Sequence, residues 1–223
     1  MPSSATLTTL RDRVEQILQD TGNNIWSTDV LDEAIRQALH EYSKVNPQRV
    51  IGTVNLSSDT REIDISSLTG LLDVSRLWLP YDSSDPEHPP NWRRFEHWRD
   101  EELLYLPDDD EGASGEVARV FYTKLQTLNG LDSASATTFP ADDETIIATG
   151  GAGYAATSRA IDLVEKVTLD RLSSQQVRAW GLGKLQEYRS ALKTVARHAA
   201  LRGSAFVPSA DLDRWEKRDS RWG

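Results

Sequence analysis

The segment NIWSTDVLDEAIRQALHEYSKVNP, residues 24–47, decides the fold of this chain because it predicts one capped amphipathic helix. Ser27 is expected to accept backbone N–H bonds at the start of the helix, and the acidic residues that follow it lie near the positive end of the helix dipole. Asn46-Pro47 is expected to end the helix, and Trp26 is placed to pack on its first turn. Apolar residues recur at steps of three and four and define one face: Val30, Leu31, Ala34, Ile35, Ala38, Leu39 and Tyr42.

The sequence on either side of this helix changes its apolar period. A first amphipathic helix is predicted over about 8–20, with Gly22 as its C-terminal stop. From residue 50 to about 124 the period becomes two, in short runs rich in Val, Leu and aromatic residues that are separated by Ser, Asp, Gly and Pro. This pattern predicts five or six antiparallel strands.

Helix signals return near Pro140, where a proline and three acidic residues favour a helix N-terminus. They predict a third helix to about Leu169 and a fourth over about 174–201. The apolar side of the fourth helix is predicted to comprise Val177, Trp180, Leu185, Tyr188, Leu192, Val195 and Ala199. Beyond Gly203 the chain has too little apolar content to fold alone, which predicts an extended arm.

Together these elements predict an α+β fold with a four-helix body, an antiparallel β-rich insertion and an extended C-terminal arm. The predicted segments are an N-terminal helical hairpin over 1–48, an acidic β-rich insertion over 49–126, a C-terminal helix pair over 127–202 that completes the body, and a docking arm over 203–223.

Composition excludes several classes of protein. The 223 residues carry a net charge of −10 and a pI near 4.9, which argues against a free-standing DNA or RNA binder, because such proteins gain affinity by neutralising phosphates. There is no cysteine, so disulfides and thiolate metal sites are excluded. No run approaches the ~20 apolar residues of a membrane helix, and the N-terminus lacks the order of a secretory signal. We expect a soluble protein made in the cytoplasm.

Charge is divided unevenly along the chain. Residues 80–116 contain twelve acidic residues and three arginines, a net charge of −9. Candidate contact residues in this acidic insertion are Asp100, Glu101, Glu102, Asp108, Asp109, Asp110 and Glu111. The fourth helix has the opposite sign, and a basic stripe lies within about 100° of the helix circumference: Arg178, Arg189, Lys193 and Arg197. The stripe is either a solvated helix face or an interface with an acidic surface of a neighbouring subunit.

The sequence predicts no catalytic residues, no metal site and no cofactor. Its four histidines lack the spacing of metal ligands, and serine nucleophile motifs are absent. Residues 108–112 lack the alternating ligands of a calcium loop and predict a solvated turn. The sequence Gly151-Ala152-Gly153-Tyr154-Ala155-Ala156 matches GxGxxA, so it is either a nucleotide-binding turn or a small-residue surface for helix packing. Too little chain follows it for a nucleotide-binding fold, which favours packing.

The order of elements resembles the head-tail connector (adaptor) proteins of long-tailed bacteriophages. The resemblance rests on the short first helix, the Trp26-Ser27-Thr28-Asp29 start and Pro47 end of the second, and the helix pair and arm after residue 138. The β-rich insertion departs from the smaller, mostly helical members of the family. The resemblance implies a connector-type body in a virion structural protein without catalysis, as a ring of about twelve copies beneath the portal. DNA passes through its central channel without specific binding.

The resemblance also implies the partners, which are the portal protein and the next neck or tail-completion protein, with no membrane contact. Assembly in the host cytoplasm would place the protein at the head-tail junction of the virion. The arm would dock on the portal through Phe206, Arg214, Trp215, Lys217, Arg218, Arg221 and Trp222. Two alternatives remain. A small terminase-like DNA-packaging subunit requires a basic helix-turn-helix near one end, and a nucleotide-binding enzyme would use the loop Gly151–Gly153.

Overall fold

A computed structural model of the chain describes residues 2–22, 24–86, 90–107, 111–165 and 171–203, and within them the fold is α+β. The helices are α1 (Leu7–Leu18), α2 (Thr28–Val45), α3 (Glu144–Glu165) and α4 (Arg171–Gly203). The strands are β1 (Gln48–Asn55), β2 (Glu62–Asp64), β3 (Leu71–Trp78), β4 (Trp92–Arg93), β5 (Glu96–Trp98), β6 (Leu103–Tyr105) and β7 (Val117–Lys124). The α+β prediction is confirmed, with one short strand, β4, more than the five or six expected.

The connection between α1 and α2 is organised by Asp20 rather than by the residues predicted for it. The chain leaves α1 through Gln19, whose conformation is left-handed (φ 56°), so this residue ends the helix three positions before Gly22, the predicted stop. Asp20 then accepts hydrogen bonds from the backbone N–H groups of Asn24, Ile25 and Trp26, at 3.0, 2.8 and 3.0 Å. Ser27 occupies the N-cap position of α2 as predicted, but its side chain makes no capping hydrogen bond.

The Asp20 carboxyl is buried, which opposes its ionisation, but the hydrogen bonds from Trp26, Ile25 and Asn24 outweigh burial and lower its pKa. Trp26 is also buried, and its indole N–H donates to the Ala155 carbonyl of α3 over 3.2 Å. The turn between the first two helices therefore also holds α3.

The four helices share one hydrophobic core, in which α3 contacts the other three. Several of its contacts are made by glycines. A Cβ added at Gly151 would lie 3.2–3.3 Å from Val14 of α1 and Ile35 of α2. One added at Gly153 would lie 2.9 Å from the Leu185 side chain of α4. The largest fully buried residues of this core are Leu10, Leu31, Ile35, Tyr42, Leu128, Phe139 and Tyr188.

The sequence placed the last two helices correctly and missed some of their ends. A short 3-10 turn after Pro140 leads into α3, as the proline and acids predicted. The expected end of α3 at Leu169 falls in 166–170, outside the described residues. The fourth helix begins at Arg171, three residues before the predicted start, and runs two residues beyond the predicted end. Trp180, predicted on its apolar side, is 41% exposed, whereas Leu185, Tyr188, Leu192 and Val195 are buried as expected.

The strands form two antiparallel sheets around a second hydrophobic core. One sheet has the order β1-β7-β3-β4 and the other β2-β6-β5. Along β7, the alternate residues Ala118, Val120 and Tyr122 are buried, so the residues between them lie on the opposite face. Two register irregularities interrupt the pairing of β3 with β7, at Leu71/Asp73 and Val74/Arg76.

Both connections between the helical core and the strands lie side by side. Gln48, the first residue of β1, pairs with Lys124, the last residue of β7. Just beyond this pair, the Gln126 backbone N–H donates to the Ser43 hydroxyl (3.1 Å), and its side-chain amide donates to the Asn46 carbonyl (2.8 Å). The incoming and outgoing segments are thus hydrogen-bonded to each other. None of the helices, over the residues described, is long and apolar enough to cross a membrane.

Candidate interaction surfaces

The predicted basic stripe is exposed along α4, and one of its members is engaged within the chain. Arg178, Arg189, Lys193 and Arg197 are all exposed. The guanidinium of Arg189 lies 3.3 Å from the carboxylate of Glu41 in α2, which also accepts a hydrogen bond from the Tyr154 hydroxyl. The hydrogen bond with Tyr154 and the charge of Glu41 raise the pKa of Arg189. Arg189 therefore helps to hold α4 on α2, and the other three remain available to a partner.

The predicted contact residues of the acidic insertion that the structure describes lie at two exposed places. Asp100, Glu101 and Glu102, called the acidic turn below, lie between β5 and β6, and all three are exposed. Glu111 is exposed as well, but Asp108, Asp109 and Asp110 lie outside the described residues, as does the solvated turn predicted there. The candidate arm residues also lie outside them: Phe206, Arg214, Trp215, Lys217, Arg218, Arg221 and Trp222.

The acidic turn sits beside two aromatic rings. Trp98, 44% exposed, stacks on Tyr105 across the β5–β6 pair, with ring centroids 5.5 Å apart and planes inclined by 12°. Arg99, which directly precedes the acidic turn, lies 3.0 Å from the Asp73 carboxylate of β3. The three carboxylates that follow Arg99 are thus presented together, next to an exposed apolar ring.

The GxGxxA sequence is part of a helix, so the nucleotide-loop interpretation is wrong for this chain. Gly151 and Gly153 lie inside α3, which runs without a break through these positions. A phosphate-binding glycine loop needs a turn between a strand and a helix N-terminus. Here the glycines admit neighbouring helices at van der Waals distance, and the alternative prediction of a small-residue packing surface is confirmed.

Sequence reasoning missed a surface on which two arginines rest on aromatic rings. We define the arginine–aromatic face as Arg76, Trp78, Tyr81, Trp92, Arg119 and Phe121. It lies on the outer side of the four-stranded sheet, where Trp78 pairs with both Trp92 and Arg119, and Phe121 pairs with Arg76. Trp92 and Phe121 meet edge to face at 5.4 Å, and Trp78 lies 6.0 Å from Trp92 and 4.9 Å from Tyr81.

Two guanidinium groups rest on these rings. The Arg119 Cζ lies 4.5 Å from the ring centroid of Tyr81, 5.7 Å from that of Phe121 and 5.8 Å from that of Trp78. The Arg76 Cζ lies 5.4 Å from the centroid of Trp92. Such cation–π contacts fix the position of a cation without neutralising it. Within the described ranges neither Arg76 nor Arg119 forms an ion pair, so this face is positively charged.

The face also presents apolar surface to solvent. Trp92 is 41% exposed, and Ile51 of β1, which pairs with Phe121 in the neighbouring strand, is 51% exposed. Exposed aromatic and arginine residues on a rigid element are typical of the centres of protein interfaces. This arrangement is suited to binding a partner that carries carboxylates beside apolar side chains.

Part of this surface had a signal in the sequence. In VARVFYTK, residues 117–124, the alternation of small or apolar residues with Arg119 and Phe121 predicts two different faces. The partners supplied by β3 and β4 had no such signal. The irregular pairing at Val74/Arg76 sets which side chain of β3 faces Phe121, and Trp92 belongs to a strand of two residues.

An apolar groove lies between α1 and α4 on the helical part. It has a volume of about 420 Å³ and is lined mainly by Ile17, Leu18, Trp26, Val177 and Trp180. This accounts for the exposure of Trp180, which lines the groove rather than the core. Over the part of the chain that is described, no cluster of three or more His, Asp or Glu side chains is arranged to hold a metal ion.

The helical hairpin does not have the charge of a DNA-reading motif. In α2 the exposed or half-buried face carries Asp29, Asp32, Glu33 and Glu41 against Arg36 and Lys44. Arg11 of α1 is engaged with Asp32 through hydrogen bonds of 2.8–2.9 Å. The basic helix that the small terminase alternative requires is therefore missing from α1 and α2. The chain matches no protein-family model and no curated protein sequence.

Proposed function

We propose that this chain is a structural virion protein, a head-to-tail connector that forms a ring beneath the portal and links the DNA-filled capsid to the neck and tail. The observation that carries the proposal is the order and packing of the helices. The α1–α2 hairpin and the α3–α4 pair form one core although the β strands separate them in sequence. This is the order of elements on which the resemblance to phage connectors rests.

The surfaces described above support an assembling role. The chain presents separate exposed surfaces of opposite charge, in the acidic turn and on α4 and the arginine–aromatic face. Charge complementarity of this kind sets register and partner choice between subunits. A ring of about twelve copies, each contributing the same contacts, gains avidity for the portal from its C-terminal arms.

The charge of the chain also fits a DNA channel. A protein that binds DNA gains affinity by releasing counterions from phosphates, and a net charge of −10 opposes that gain. DNA can therefore pass through the ring without being retained. The β-rich part extends from the helical body towards the outside, the channel or the next neck protein.

Native mass spectrometry of the full chain with the portal protein of the same virus tests this proposal. The expected result is a closed complex of about twelve copies on a portal ring. A variant lacking residues 204–223 should keep its far-UV circular dichroism and fail to join the portal. If the full chain binds no portal ring, the proposal is contradicted. If the truncated variant binds the portal as well as the full chain does, the assignment of the arm to portal docking is wrong.

A further inference from the structure

We infer that the arginine–aromatic face binds the acidic turn of a second copy of this chain, so that copies associate head to tail. The inference rests on the proposed ring and names the contact that builds it. It follows from the geometry of the two surfaces, their opposite charges, and the exposure of Arg76, Trp92 and the acidic turn.

The arginine–aromatic face is prepared for a carboxylate partner. Arg76 and Arg119 are held over aromatic rings, so little side-chain freedom remains to be lost on binding. Neither is neutralised by a carboxylate within the described residues. The exposed Trp92 and Ile51 beside them supply apolar area that a partner can cover.

The acidic turn has the complementary chemistry. It presents the three exposed carboxylates of Asp100, Glu101 and Glu102, and the exposed ring of Trp98 lies next to them. A carboxylate can pair with a guanidinium bidentately, while Trp98 covers apolar surface on the other copy. The twelve acidic residues within 80–116 make this chain itself a ready source of such a partner.

The position of the two surfaces favours a head-to-tail contact. The arginine–aromatic face belongs to the four-stranded sheet and the acidic turn to the three-stranded sheet, so they are different patches of one molecule. A contact between different patches leaves a free patch at each end of a pair, and it closes into a ring when the rotation between copies permits.

Two alternative contacts are less well matched. The acidic turn of one copy could bind the basic stripe on α4 of another, but Arg189 of that stripe already contacts Glu41 in its own chain. Single-stranded nucleic acid also stacks on exposed aromatic rings beside arginines. The acidic residues Asp82 and Glu116 lie close in sequence to Tyr81 and Arg119 of the face, and the whole chain carries −10, which opposes a polyphosphate.

Complementary charge reversal in the full-length chain tests the contact. One variant carries Arg76→Glu and Arg119→Glu, and the other carries Asp100→Lys and Glu101→Lys. Sedimentation velocity across a concentration series should show self-association of the unmodified chain and a loss of at least about tenfold in association constant for each variant alone, because like charges then face each other. An equal mixture of the two should associate to within about threefold of the unmodified chain. The face of the first variant then meets the acidic turn of the second with both charges reversed, and the face of the second meets the acidic turn of the first with the original charges.

A matched control carries Lys44→Glu and Arg61→Glu, two exposed positions that give the same change in net charge as the first variant. It should associate like the unmodified chain. Rescue in the mixture also shows that both variants are folded. If the unmodified chain forms rings and the variants form them equally well, the ring proposal survives and this contact is refuted.

Three further results would overturn the inference. The first is that every sample, including the mixture, contains only monomers. The second is that the control variant lowers the association constant as much as the two charge-reversal variants do. The third is that the unmodified chain binds a single-stranded oligonucleotide and loses this binding with Arg76→Glu and Arg119→Glu. The portal-binding experiment is independent of all three, so it separates failure of this contact from failure of the proposed function.

Discussion

Replacing Gly181 by alanine would test whether the close approach of α3 and α4 depends on glycine. A Cβ at this position would lie 2.9 Å from the Thr157 hydroxyl and 3.1 Å from the Thr157 backbone nitrogen. The hydroxyl cannot turn away without losing its 2.8 Å hydrogen bond to the Gly153 carbonyl, and the backbone can yield only if the helices separate. Overpacking of this kind costs about 1–3 kcal/mol, against about 1 kcal/mol gained from helix propensity. We expect a net loss of up to about 2 kcal/mol in the free energy of unfolding.

Gly183→Ala is the matched control, two residues further along the same helix. No heavy atom of the described chain, apart from its chain neighbours and its own helix backbone, lies within 4 Å of the added Cβ, so only the propensity gain applies. We expect it to stabilise the protein by about 0.5–1 kcal/mol. The difference between the two variants then isolates the overpacking cost of about 1–3 kcal/mol. Urea denaturation followed by far-UV circular dichroism measures it, provided that the slope with denaturant is unchanged. Equal stability of the two variants would refute close packing at Gly181.

Two other predictions concern single side chains. The lowered pKa of Asp20 means that its ionised form stabilises the fold above the usual value of 3.8 and that this contribution disappears as the pH falls through the lowered pKa. Asp20→Asn should therefore reduce the urea midpoint at neutral pH by an amount that shrinks below about pH 4, and a pH-independent difference would contradict this. Tyr188→Phe removes the 2.6 Å hydrogen bond from its buried hydroxyl to the Ala38 carbonyl and should cost about 1 kcal/mol. Tyr105→Phe, whose hydroxyl has no hydrogen-bond partner among the described residues, should change stability by less than about 0.5 kcal/mol, and equal losses would count against the Tyr188 bond.

The helices were predictable because each carries apolar residues at helical spacing, whereas the signals at their ends were less reliable, since Gln19 and not Gly22 ends α1. In α2 the predicted apolar residues are buried apart from the half-buried Val30, and Asn46 is its C-cap. The small residues of α3 were also identified as a packing surface, although their GxGxxA spacing permitted a nucleotide loop. The structure decides between these because Val14, Ile35 and Leu185 occupy the space beside the glycines.

The details that depend on distant partners were not predictable. Ser27 was predicted to accept N–H bonds in the first turn of α2 and does not, whereas Asp20, to which sequence reasoning gave no role, accepts them from the residues just before that helix, because only the path of the chain decides which side chain reaches backbone N–H groups. Trp180 fits the helical period of the core yet lines the groove beside α1. The arginine–aromatic face needs three strands that are separated by up to 45 residues, between Arg76 and Phe121, and its register passes through an irregularity that periodicity does not encode.

The adjacency of the two connections to the β-rich part has a consequence for how such a chain can change during evolution. Gln48 and Lys124 lie opposite each other in paired strands, so the points at which the backbone enters and leaves the β-rich part are about 5 Å apart. A gap of that width can be closed by a tight turn, so the strands can be gained, lost or exchanged as one unit while the four helices keep their core. The surface that recognises partners can thereby diversify without disturbing the part that must stay the same.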